Sequence, residues 1–185
     1  MNPAQPLASL GKLPNVRHES KRPRTGPGST VEPLLTSDDA QRLWLEVNRH
    51  QWSSLVLVPA DPGASASSIA ASLAKAGAAL GDPELRVLNA EGMGLEAIRG
   101  VIADLKLMAD LSTRAVSTTT GDPWRVVVTI ESVLSNPLGV MLAQAADMAL
   151  LCVRKRKTKL AAAQKTVELI GRDLFIGSVV LSSGR

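Results

Sequence analysis

Ser65, Ala66, Ser67 and Ser68 stand where a chain of this pattern could bind phosphate. They follow the apolar run Leu55 to Val58 and a Pro/Gly turn from Pro59 to Gly63, and they precede a helical run through Ile69 and Leu73. Strand, loop and helix in that order turn backbone amides toward an anion at the helix N-terminus. The side chains that would complete the chemistry are missing from this frame. A loop of the form G-x-x-x-x-G-K-[ST] needs a second glycine and a lysine, and Ser65 and Ala66 occupy those places. Gly63 is kept. Ser67 offers a hydroxyl of the kind that ligates Mg²⁺, although a serine so close to a helix start is more often a cap.

Three more stretches could carry chemistry, and each follows an apolar strand pattern. They are Asn89-Ala90-Glu91-Gly92, Thr129 to Ser132, and the basic run Arg154-Lys155-Arg156-Lys157 with Lys159 beyond it. Asn89 and Thr129 carry an amide and a hydroxyl, which cannot neutralise a divalent cation. Glu91 is left as a candidate to take a carboxylate role by itself. The basic run would suit phosphate or an acidic partner, with a solvated loop as the plainer expectation. His18 and His50 have no Cys or acidic neighbours at metal-ligand spacing, so no metal site is expected. Cys152 falls inside a strand pattern and reads as an inert core thiol.

The elements that position these residues follow from periodicity. A helix is predicted over 37–50, capped by Thr36 or Ser37, with Asp38 and Asp39 at its positive end and Leu43, Trp44 and Val47 on its apolar face. Trp44 and Trp52 read as core or subunit-contact residues. Strands are predicted near 54–59, 85–89, 125–130, 148–153 and 175–181. Helices are predicted over 66–80, over 94–112 with a buried stripe of Leu95, Ile98, Ile102, Leu105 and Met108, and from Pro137 to about 145. A last helix carries Leu160, Ala163, Val167 and Ile170 on one face and ends near Gly171. Strands alternating with helices predict a three-layer α/β fold with a mostly parallel sheet, Rossmann-like and of the P-loop type, with every strand's C-terminal end at one edge.

Composition limits the partners. The chain has 185 residues and a net charge of +4, yet the first 30 residues hold Lys12, Arg17, Lys21, Arg22 and Arg24 against Glu19 alone. The remaining 16 basic and 16 acidic residues cancel, so no basic folded face argues for nucleic acid. Residues 1–32 are rich in Pro, Gly and Ser and are expected to be a disordered basic tail, with 33–185 as the α/β domain. The cluster His18 to Arg24 suits anionic lipid or an acidic partner, against the simpler expectation of a solubilising tail. No apolar run approaches the ~20 residues that span a bilayer, no signal-peptide core is present, and a single cysteine fits a reducing cytoplasm.

The order of motifs resembles the MinD/ParA-type nucleotide-binding fold, and within it the cytoplasmic domain of bacterial tyrosine kinases that control capsule and exopolysaccharide export. The resemblance covers roughly 37–183. Asp39-x-x-Arg42-x-x-Leu45 partly keeps the family's E-x-x-R-x-x-R helix, and Pro62 to Ser68 lies where the family has P-G-E-G-K-S-T. Asn89-Ala90-Glu91 stands for D-A-D, and Thr129-Ile130-Glu131-Ser132 for D-T-P-P. Val133-Leu134, Ala146-Asp147 and Arg154-x-x-Lys157-Thr158 match later positions, in a chain whose middle is shorter than the family's. The tyrosine-rich tail is missing, and the sequence has no Tyr. The resemblance implies a catalytically inactive pseudo-kinase that binds no ATP or Mg²⁺ and acts on the cytoplasmic side. Its partner would be a membrane-spanning polysaccharide co-polymerase or export protein, touched through Asp39, Arg42, Arg154 and Lys157, with a homo-oligomer also open. The alternatives are a MinD/ParA-like ATPase with divergent motifs, and a division or partition regulator.

Overall fold

The centre of the sheet is β1 (Ser54–Pro59), and all six of its residues are buried. An apolar run with no polar alternation can be satisfied only by cover on both faces. Leu55 and Leu57 enter one apolar cluster, and Val56 and Val58 enter the other. A computed structural model describes residues 35–81, 85–115 and 125–182 of the chain. The expected tail, residues 1–32, lies outside the described residues, as does most of the expected 113–123 loop.

Five strands form one sheet in the order β2-β3-β1-β4-β5. They are β1, β2 (Leu85–Asn89), β3 (Arg125–Thr129), β4 (Met148–Arg154) and β5 (Phe175–Leu181). Every pairing is parallel, so the expected mostly parallel sheet is wholly so. The helices are α1 (Ser37–Val47), α2 (Ser67–Ala79), α3 (Leu95–Ala115), α4 (Leu138–Gln144) and α5 (Leu160–Ile170). α1 and α2 cover one face of the sheet, while α3, α4 and the end of α5 cover the other. No helix among the described residues is long and apolar enough to cross a membrane.

Local chemistry accounts for the boundaries. Thr36 caps α1 by accepting the Asp39 amide, and its hydroxyl donates to the Asp39 carboxylate at 2.7 Å. Asp39 is thereby held in the cap of α1. Trp44 and Trp52 are buried edge to face with ring centroids 6.0 Å apart, so both are core residues. Arg125 lies 5.2 Å from the Trp52 ring centroid and donates to Asn48 at 2.6 Å. Asp147 ties β1 to the start of β4, accepting the Ser53 and Ser54 amides, each at 2.8 Å.

Two expected stripe residues are not covered. Leu95 is 37% exposed and Leu160 is 74% exposed, although Ile98 and Ile170 on the same helices are buried. Each is the first residue of its helix, where the chain is still arriving from a strand-end loop. Periodicity shows that residues share a face, but it does not show how far the covering layer extends.

α1 and α2 meet closely because α2 is built from small residues. A Cβ placed on Gly77 would stand 3.2 Å from the Trp44 ring and 3.2 Å from Leu85 Cδ2. Bulk there must displace a rigid indole. Gly77→Val is expected to destabilise the protein by about 1–3 kcal/mol, read as a lower urea midpoint with an unchanged denaturant slope.

Candidate functional site

Parallel pairing sets Asn89 directly beside Thr129, and Leu57 of β1 beside Thr129 on its other side. The four loops expected at the strand C-terminal edge are therefore brought to one edge of the sheet. Within the first of them, Gly63 has a φ of +71°, the left-handed region that favours glycine, and the chain turns there into α2. Gly92 has a φ of +73° and makes the equivalent turn after β2.

That second turn delivers Glu91 to the start of α2. Its Oε1 accepts from the Ser65 hydroxyl at 2.7 Å, from the Ala66 amide at 3.2 Å and from the Ser67 hydroxyl at 3.2 Å. The carboxylate thus sits where a helix start attracts an anion, and the dipole of α2 stabilises it there. Its own orientation is fixed by Asn89, whose Oδ1 accepts the Glu91 amide at 2.9 Å and the Thr129 hydroxyl at 3.2 Å. Thr129 is fully buried, so this bond satisfies a hydroxyl that water cannot reach. Ser65, Ser67, Asn89, Glu91 and Thr129 form one hydrogen-bonded chain across three loops.

Ser67 is not the cap expected from its position. It is the first residue inside α2, and Ala66, at the N-cap position, contributes no side-chain bond. Ser65 does the capping, its Oγ accepting the Ser67 amide at 3.1 Å. Ser68 lies in the first turn and accepts the Ser72 hydroxyl through its carbonyl. The physical reason is the loop's approach: with the Glu91 carboxylate bonded to the Ala66 amide, the Ser67 hydroxyl is drawn to the same oxygen.

A second network lies at the end of β4. Arg154 Nε donates to Asp61 Oδ2 at 3.2 Å, and the Thr158 hydroxyl also bonds Asp61. The Arg154 amide in turn donates to Thr158 Oγ1 at 2.7 Å. Asp61 is 8% exposed, and the sequence hides its role because a carboxylate between Pro59 and Pro62 reads as a turn residue. Its signal lay in the basic run opposite. Arg154 is consequently committed within the fold, whereas Lys157 is exposed on the turn. Asp39 and Arg42 are on α1, outside both networks, and Arg42 is exposed.

No protein-family model matches the chain, and no curated protein matches it. Among solved structures, the crystal structure of the chimerical protein CapA2B2 is similar, with a TM-score of 0.56 at 14% identity. The match spans 78% of this chain and 83% of that one. The likeness shows a shared α/β fold.

Cys152 lies under this edge in β4. Burial pushes its thiol up from an ordinary 9.0 to about 12, so it stays protonated and unreactive in the folded protein. The folded state keeps a proton that the unfolded state gives up from about 9 upward. This contribution to stability is therefore complete below that pH and falls as pH rises toward 12. A thiol reagent at neutral pH is expected to label Cys152 only when denaturant is added. Glu91→Ala is expected to lower stability by about 1–3 kcal/mol and Glu91→Gln by less, since the amide keeps an acceptor without the charge. Chemical denaturation of the three proteins measures the difference.

Proposed function

We propose that this chain is a catalytically inactive, tyrosine-kinase-like subunit. It would bind a membrane-spanning polysaccharide co-polymerase or export protein through the surface at the strand ends. The observation that carries the proposal is Glu91, whose carboxylate lies on the start of α2 with three donors around it. A nucleotide triphosphate and Mg²⁺ do not fit these residues. The phosphate chain would meet a fixed negative charge, repelled by about 4 kcal/mol per charge pair at 4 Å and an effective dielectric of 20. Ala66 offers no ammonium, forgoing roughly 1.5–3 kcal/mol per charge-assisted contact. About 4 kcal/mol is the distance from micromolar to millimolar affinity, so these losses together remove useful binding.

Asn89 and Thr129 support the same reading. Two carboxylates at adjacent register positions would repel one another unless a cation lay between them. An amide and a hydroxyl bond directly and need none. With the nucleotide chemistry replaced by internal hydrogen bonds, the strand-end loops serve as a fixed surface. Of the four residues the family resemblance implicates, Lys157 is the exposed cation on this surface, while Arg42 is exposed on α1. The sequence resemblance supplies the partner class, and the shared fold with CapA2B2 is compatible with it.

Two measurements test the proposal. Affinity capture with the cytoplasmic segment of the co-polymerase from the same locus is expected to retain this chain, with weaker retention of Lys157→Glu. Titration with a fluorescent ATP analogue and Mg²⁺ is expected to show no saturation in the micromolar range. Micromolar nucleotide binding that Ser67→Arg abolishes would replace this reading with an active ATPase.

A further inference from the structure

The turn after β4 combines two features of which the proposed partner contact uses only Lys157. Lys155, Arg156, Lys157 and Lys159 are all exposed, and Leu160, next in the chain, is 74% exposed. Leu160 has the highest exposure of any large apolar residue among the described ones. Arg156 has a φ of 63°, a left-handed backbone at a non-glycine residue that costs about 1 kcal/mol or more. The rest of the turn fixes that conformation. The Arg154–Thr158–Asp61 bonds hold its base, and the Lys155 amide donates to the Leu181 carbonyl of β5 at 2.8 Å. The internal carboxylate is thus used on Arg154, leaving the four outer cations to solvent. The positive end of the α5 dipole adds to them.

We infer that the 155–160 turn is a contact site for an anionic lipid surface, with Leu160 entering the acyl boundary and Lys155, Arg156, Lys157 and Lys159 meeting lipid phosphates. Charge alone would suit an acidic polypeptide equally well. The exposed leucine amid the cations decides for a bilayer, where an apolar layer lies just beneath an anionic one. The turn shares Lys157 with the proposed partner contact, but binding to protein-free vesicles requires no co-polymerase, so failure of that partner assignment leaves the lipid contact standing.

Co-sedimentation of the full chain with vesicles tests the inference. Vesicles of phosphatidylcholine with phosphatidylglycerol are expected to bind it in a salt-dependent manner, and pure phosphatidylcholine vesicles are not. Each cation at an anionic surface is worth roughly fivefold in partitioning, so Lys155→Ala/Arg156→Ala/Lys157→Ala should lose about a hundredfold. Leu160→Ser should lose roughly tenfold at unchanged charge. Circular dichroism and thermal melting confirm that each variant is folded. Leu160→Trp should shift its emission to shorter wavelength on the anionic vesicles. Lipid binding unchanged by the triple substitution would overturn the inference and assign the contact to cations elsewhere in the chain, such as those between Lys12 and Arg24. Absence of binding to the anionic vesicles would overturn it too. Equal affinity for polyglutamate, with no emission shift on vesicles, would overturn it in favour of an acidic polypeptide partner.

Discussion

The amides at the start of a helix, and the dipole behind them, draw a negative charge, and in this protein Glu91 supplies it from within the chain. The strand-end surface takes its shape from that contact. Ser65 and Ser67 turn their hydroxyls to the same oxygen, Asn89 holds the turn that carries Glu91, and Thr129 closes the network from the buried side. A tethered carboxylate competes with free anions at an effective concentration of the order of millimolar or more. The anion at this helix start is supplied by the protein itself.

Much of this architecture is legible in the sequence, for physical reasons. β1 is legible because a run buried on both faces has no polar interruption, β3 and β4 show similar apolar runs, and Gly81 marks the end of α2. The alternation of strands and helices then leaves few topologies, since crossovers between parallel strands are right-handed. The resemblance to a known motif order adds positions to compare, so Ser65, Ala66, Asn89 and Thr129 stand out as departures from that pattern in the amino-acid order alone.

What pattern alone could not supply is the partner of each side chain. Glu91 and Ser65 are 26 residues apart, and only the parallel register brings their loops together. Asp61 looks like an ordinary turn carboxylate because its partner Arg154 lies 93 residues away. Leu160 misleads in the opposite direction: it has the spacing of a core residue but stands beyond the layer that would cover it. In each case a sequence reports the side chain, while the neighbour comes from the fold.

The strand order has a further consequence, for synthesis. β1 pairs with β3 and β4 and with no other strand, and its nearest partners begin 72 residues later, Ser54 opposite Val126. A ribosome adding roughly 5–20 residues per second needs several seconds to cover that interval. Throughout it the SLVLVP segment has emerged, or is emerging, with no strand to receive its hydrogen bonds. α1 and α2 are the two helices made close to it in sequence, and both pack on its Leu55 and Leu57 face. The small-residue helix and its tryptophan neighbour can shelter half of the nascent strand before the sheet exists, which gives the close packing at Gly77 a role during chain elongation as well as in the finished fold.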